Sequence, residues 1–210
     1  MFRDRRHAGE VLASELAGYR GQPDAVLLAL PRGGVPVAAA IARSLNLPLD
    51  VLPVHKIGAP MQPEYAVGAV ASDGLVVLDE EAIAAMHISQ ADLDSIVARE
   101  QEELLRRERE YRDGRPALAL DGKTAILIDD GLATGYTMLV AVHAARRERA
   151  ARVVVAVPVA PQETINRLRK EADEVVCAYV PPRLLAVGQF YENFGQVSDE
   201  EVRADLASNT

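Results

Sequence analysis

The stretch AILIDDGLATGYT, residues 125–137, decides the fold. It opens on an unbroken apolar run, which suits a strand buried on both faces of a parallel sheet. Asp129 and Asp130 come next and therefore stand at the carboxyl end of that strand. Gly131, Ala133 and Gly135 keep the following loop free of bulk, while Thr134 and Thr137 place hydroxyls ahead of an amphipathic run at 138–147. The pattern predicts a helix starting near Thr134, whose free N–H groups and positive dipole end favour a phosphate.

The two carboxylates would repel that phosphate. They suit hydroxyl groups, or a divalent cation shared with the ligand. A ligand with vicinal hydroxyls and a phosphate one bond further on is a ribose 5-phosphate.

A chain of 210 residues holds one ordinary α/β domain, with room for a small appendage. Apolar residues make up 49% but aromatics only 4%, so Val, Leu, Ile and Ala must fill the interior, as in parallel sheets covered by helices. The single cysteine, Cys177, excludes an internal disulfide and, beside Val175 and Val176, reads as core. A reducing cytoplasm is the expected location. No run approaches a membrane span, and MFRDRRHAGE lacks the apolar stretch of a signal peptide, so no membrane association is expected. A net charge of −8 argues against nucleic acid as a partner.

Around the central motif, residues 6–19 read as an opening amphipathic helix with Asp4 as its cap. A first strand at 25–30 runs into Leu30-Pro31-Arg32-Gly33-Gly34, and helical periodicity returns at 35–45. A second strand is expected at 49–54, ending at His55-Lys56. Residues 57–74, rich in glycine and proline, read as a mobile loop with a hairpin between 66–70 and 75–78. One long helix is expected at 89–112, capped by Ser89. Further strands at 152–157 and 174–180 flank a helix at 162–172. This alternation predicts an α/β fold with a doubly wound, mainly parallel sheet of about five strands flanked by helices. Residues 1–180 form its core, and 181–210 fold over the ligand edge as a small hood.

Arg32 offers a guanidinium for a bidentate grip on phosphate, beside glycines that let backbone approach closely. Gly122-Lys123-Thr124 echoes a phosphate loop but precedes a strand where such a loop should follow one. The four histidines show no metal-ligand spacing.

Residues 125–137 resemble the 5-phosphoribosyl 1-pyrophosphate (PRPP) motif of type I phosphoribosyltransferases, in the adenine-type form ending DD-x-x-A-T-G-x-T. The resemblance implies a transferase that moves a phosphoribosyl group from PRPP to a nitrogen nucleophile, a nucleobase. Asp129 and Asp130 would hold the ribose hydroxyls. Gly131, Leu132, Ala133, Thr134, Gly135, Tyr136 and Thr137 would hold the 5-phosphate. Arg32, Gly33 and Gly34 resemble the family's pyrophosphate loop, where relatives often carry a non-proline cis peptide, here expected between Pro31 and Arg32. Lys56 resembles the basic residue that meets pyrophosphate, so Arg32 and Lys56 are the candidate catalytic pair. The cofactor implied is Mg²⁺, held mainly through the ligand, with Asp129 and Asp130 as candidate ligands.

Glu64-Tyr65-Ala66-Val67-Gly68 resembles a catalytic loop that closes over substrate. Residues 186–192 resemble a base-holding hood with Glu192 in its acidic position, although Leu185 stands where a stacking aromatic belongs; Phe190 or Tyr191 could stack instead. Ala133 replaces an aspartate of the 6-oxopurine branch and cannot exchange a proton, which disfavours a hypoxanthine-guanine acceptor. Phe2-Arg3-Asp4-Arg5 is similar to an early segment of bacterial phosphoribosyltransferase-like proteins. Dimers are common among relatives, so a homodimer with residues 89–112 at its contact stays open. The alternative function is a non-catalytic PRPP- or nucleotide-sensing regulator of the same fold.

Overall fold

The computed structural model describes residues 1–209, and the side chains of Pro63 and Glu64 lie outside that description. In chain order come α1 (Arg5–Glu15), β1 (Ala25–Ala29), α2 (Gly34–Leu45), β2 (Leu49–Val51), β3 (Val54–Ala59), β4 (Gln62–Ala71), β5 (Val76–Leu78), α3 (Glu80–Ala85) and α4 (Gln90–Arg112). They are followed by β6 (Thr124–Ile128), α5 (Tyr136–Arg147), β7 (Arg152–Val159), α6 (Gln162–Leu168), β8 (Glu174–Tyr179) and α7 (Asp199–Ala207).

Five of the strands form one sheet in the order β2-β1-β6-β7-β8, and every neighbouring pair is parallel. The strands read as continuous apolar runs because alternate residues enter two different cores. Leu27, Ala29, Ile126 and Ile128 pack with α1 and α2 on one face. Val26, Leu28, Ala125 and Leu127 pack with α5 and α6 on the other. Full burial of each larger aliphatic side chain is worth about 1.5–3 kcal/mol, so these two cores hold the sheet and its helices together.

The second expected strand divides in two. β2 stops at Val51 and stays in the parallel sheet, and after Pro53 the chain leaves it and begins β3. The stretch expected to be a mobile loop is instead a separate antiparallel sheet, β3-β4-β5. Its anticipated hairpin is present, with Gly68 opposite Leu78 and Val70 opposite Val76. This small sheet has a core of its own, in which Ile57, Val67 and Val70 meet Leu93 and Leu104 of α4. The small side chains Ala69 and Ala71 join the core shared with α5 instead.

α5 begins at Tyr136 with Gly135 at its cap position, within two residues of the expected start near Thr134. Cys177 is only half-buried, because β8 is the outermost strand of its sheet. In the tail, Ser198 and Glu201 close a capping box on α7, and Val197, Val202 and Leu206 join the core of the parallel sheet. Among the described residues no helix is long and apolar enough to cross a membrane.

Candidate active site

From β1 the chain winds to β2 on one side and later to β6 on the other. Strand order therefore reverses between β1 and β6, and the crevice beyond their carboxyl ends is where open α/β sheets take ligands. Loops 30–34 and 129–137 meet there. The Leu30 N–H donates to the Ile128 carbonyl at 2.8 Å, joining the two strand ends. The peptide between Pro31 and Arg32 is cis, as the resemblance implied. A Cβ on Gly33 would stand 2.1 Å from Asp130 Oδ2, so glycine is what lets the two loops touch. Arg32 is half-exposed, and its guanidinium has no hydrogen-bond or ion-pair partner among the described residues.

Asp129 and Asp130 lie side by side, with the Asp130 N–H donating to Asp129 Oδ1 at 2.8 Å. Burial first, and the neighbouring Asp130 second, hold the Asp129 carboxyl well above the ordinary carboxylate range. Burial also raises Asp130, against the opposing pull of Arg5. Arg5 Nε lies 2.7 Å from Asp130 Oδ2, with only 12% and 14% of the two side chains exposed. The tail reaches the same residue, since the Tyr191 hydroxyl donates to the Asp130 carbonyl at 2.5 Å.

In loop 131–137, Leu132 is buried and its N–H is already given to the Val159 carbonyl at 2.9 Å, so it anchors the loop. α6 holds the next carbonyls: Thr164 Oγ1 donates to Ala133 O at 2.6 Å and Arg167 to Thr134 O at 3.2 Å. In a trans peptide the N–H points opposite to its carbonyl, so the N–H groups of Thr134 and Gly135 face away from α6. From Ala133 to Thr137 the N–H groups donate to no described residue. They form the open, partly positive end of α5.

Gly135 occupies the left-handed region with φ +80°, and a Cβ there would stand 2.6 Å from Thr164 Cγ2. Gly135→Ala is expected to destabilise the fold by about 2 kcal/mol, adding left-handed strain to overpacking. Urea unfolding would measure the loss, and a change within about 0.5 kcal/mol, the size of an ordinary surface substitution, would contradict it.

Lys56 is not at a strand end in the parallel sheet, as the sequence implied, but inside β3. It lines two neighbouring cavities of about 600 and 630 Å³, each of which also includes Thr137. The first is bordered by the whole 131–137 loop together with Tyr65, Asp79 and Arg167. Arg32, Asp129 and Asp130 lie outside both, at the switch-point crevice, although Pro31 and His55 share a small cleft that brings their loops together. The Tyr136 hydroxyl donates to Asp79 at 2.5 Å, tying the start of α5 to the cap of α3.

A family model described as the phosphoribosyl transferase domain matches residues 5–183. The chain belongs to this family. Proteins of two Mycobacterium tuberculosis strains, provisionally named phosphoribosyl transferases, are 46% identical to it over 206 residues. The match covers 98% of this chain, which spans about half the length, 46%, of those relatives. The crystal structure of TT1426 from Thermus thermophilus is 46% identical, superposes with a TM-score of 0.81 and is covered to 98%, using 99% of this chain. AQ2163 from Aquifex aeolicus, 14% identical with a TM-score of 0.54 over 88% of this chain and 78% of its own, shares the fold alone.

Within this phosphoribosyl transferase domain, three contributors escaped the sequence reading. Arg167 and Thr164 shape the loop from α6, and Arg5 holds Asp130 from α1. Tyr191 corrects one expectation, since it is buried against Phe2 and unavailable for stacking on a base, whereas Glu192 is exposed. The role read into Glu64 falls on a side chain outside the described residues.

Proposed function

We propose that this domain transfers the 5-phosphoribosyl group of PRPP to a nitrogen nucleophile, a nucleobase, and releases pyrophosphate. The reading is carried by the convergence at one sheet edge of the carboxyl pair, the run of unpartnered loop N–H groups and Arg32. The 5-phosphate takes the N–H groups of Ala133 to Thr137, and the ribose hydroxyls take Asp129 and Asp130. The nucleophile's lone pair bonds to ribose C1 as the C1–O bond to pyrophosphate breaks. The bonding electrons depart on pyrophosphate, and the nitrogen's proton passes to water or to the leaving group. Arg32, with Lys56, opposes the negative charge that grows on the departing oxygens.

The donor set bears on Mg²⁺. One oxygen of Asp130 is taken by Arg5, and no group of three or more His, Cys, Asp or Glu among the described residues could hold an ion. This suits a cation held through the ligand's phosphates with at most one or two carboxylates, which is how Mg²⁺ commonly binds. Bound so, it would neutralise pyrophosphate charge.

Incubation with radiolabelled PRPP, Mg²⁺ and a panel of bases tests the proposal. Pyrophosphate release that depends on one base is the expected result, with adenine-like acceptors ahead of 6-oxopurines because Ala133 has no proton to exchange. Tight binding without release across the panel would replace the transferase with a PRPP sensor, and release with water alone would replace it with a hydrolase.

A further inference from the structure

The segment Phe2-Arg3-Asp4-Arg5 is a sequence feature that the proposed chemistry does not absorb. In the fold each of its residues has a partner. Phe2 forms an isolated parallel bridge with Tyr191 and packs on its ring. Asp4 caps α1 by accepting the His7 N–H at 2.8 Å. The Arg3 side chain makes an exposed pair with Glu10. Arg5 goes inward.

We infer that Arg5 is the positioning residue of the ribose site, holding Asp130 by one carboxylate oxygen while fastening the 191–195 turn of the tail behind it. The inference rests on the ribose role proposed for Asp130. Arg5 Nε donates to Asp130 Oδ2 at 2.7 Å, and its Nη1 donates to the Gly195 carbonyl at 2.7 Å. The guanidinium lies 3.9 Å from the centre of the Phe194 ring, stacked on it. Phe194 in turn packs on Tyr191, at 4.9 Å between ring centres, and the Tyr191 hydroxyl holds the Asp130 carbonyl. Both the backbone and the side chain of Asp130 are thus fixed by residues from the two ends of the chain. Gly33 also packs close to the same Oδ2, where a Cβ would stand 2.1 Å from it. A fork with one arm on a carboxylate, a second on a carbonyl and a flat face on a ring is a task for arginine. Lysine has neither the fork nor the plane.

The test compares the binding of ribose 5-phosphate with that of inorganic phosphate, measured by calorimetry and phosphorus NMR, in wild type, Arg5→Ala and Arg5→Lys. Removing the group that orients a charged acceptor is expected to weaken ribose 5-phosphate by about tenfold or more in Arg5→Ala, with phosphate affinity unchanged because the loop amides are untouched. Arg5→Lys keeps the charge without the fork and should fall between the two. If Arg5→Ala does not fold by circular dichroism, Arg5→Lys decides alone. A parallel loss of both ligands would make Arg5 merely structural, and no loss of either would remove it from the site. Wild-type protein that binds phosphate but gains nothing from the ribose would overturn the ribose reading of Asp130 itself, and this inference with it.

Discussion

Asp129→Asn together with Asp130→Asn is expected to lower the affinity for Mg²⁺ and PRPP by about 1000-fold, since two charged acceptors are each worth about 1.5–3 kcal/mol. The single change Asp129→Asn separates binding from folding. The Asp129 carboxyl is held above its ordinary value by burial and by Asp130, so the folded chain binds its proton more tightly than the unfolded chain does. That contribution to stability is complete below the unfolded value of about 4 and is lost as pH rises through the folded value. At neutral pH the ionised form therefore opposes folding. An asparagine can still accept the Asp130 N–H and carries no charge, so Asp129→Asn should match or exceed wild-type stability at pH 7 while losing PRPP. Urea unfolding at pH 4 and pH 7 reads the first half, and calorimetry with PRPP reads the second. Unchanged PRPP affinity would remove the ribose role, and a variant less stable at pH 7 than wild type would remove the electrostatic account of Asp129.

Gly33→Ala has the next largest expected effect. Gly33 has an ordinary helical conformation, with φ −62°, so alanine brings no backbone penalty there. The obstacle is contact: the new methyl would stand 2.1 Å from Asp130 Oδ2 and 2.6 Å from its Cγ. Asp130 cannot swing aside cheaply, because its side chain is short and held by Arg5. Either the ion pair breaks or the loop carrying Arg32 withdraws, and both separate the two halves of the proposed PRPP site. Stability should fall by about 1–3 kcal/mol, the usual range for overpacking. PRPP affinity should fall by about 100-fold if one charged contact at its strong limit is lost. Thermal unfolding and PRPP titration measure the two quantities. Full PRPP affinity in a folded Gly33→Ala protein would show that the contact between the loops is incidental.

The parts legible beforehand are those whose cause is local. Four consecutive apolar residues before Asp129 suit a strand covered on both sides, and the glycines beside Arg32 announce a close approach whatever the partner. The cap of α4 by Ser89 is written within three residues. Misreadings arose where a local signal was outweighed or passed over. Pro53 stood inside the run read as one strand at 49–54 and did mark its break, since proline cannot donate to a central ladder. The small sheet hid behind Gly and Ala, whose weak strand preference is offset by packing on two helices, Ala69 and Ala71 sharing a core with α5 and Ile57 and Val70 with α4. Arg5 was out of reach altogether: its partner Asp130 is 125 positions away, and nothing local distinguishes it from the exposed Arg3.

Putting Lys56 in a strand, not on a loop, makes hairpin length a variable with consequences for the ligand. Lys56 lies opposite Ala69 and Ile57 opposite Gly68, so one side chain reaches the cavities while its neighbour enters the core. A residue gained or lost before Lys56 would exchange them, burying the cation and exposing the isoleucine. After Ile57 the pairing already shifts register at Gly58 and Ala59. Changes beyond that point leave Lys56 where it is. The tip, with Met61 and Tyr65 exposed, is thus where insertions can be tolerated and new specificities tried, while the base of the hairpin is bound to its present length.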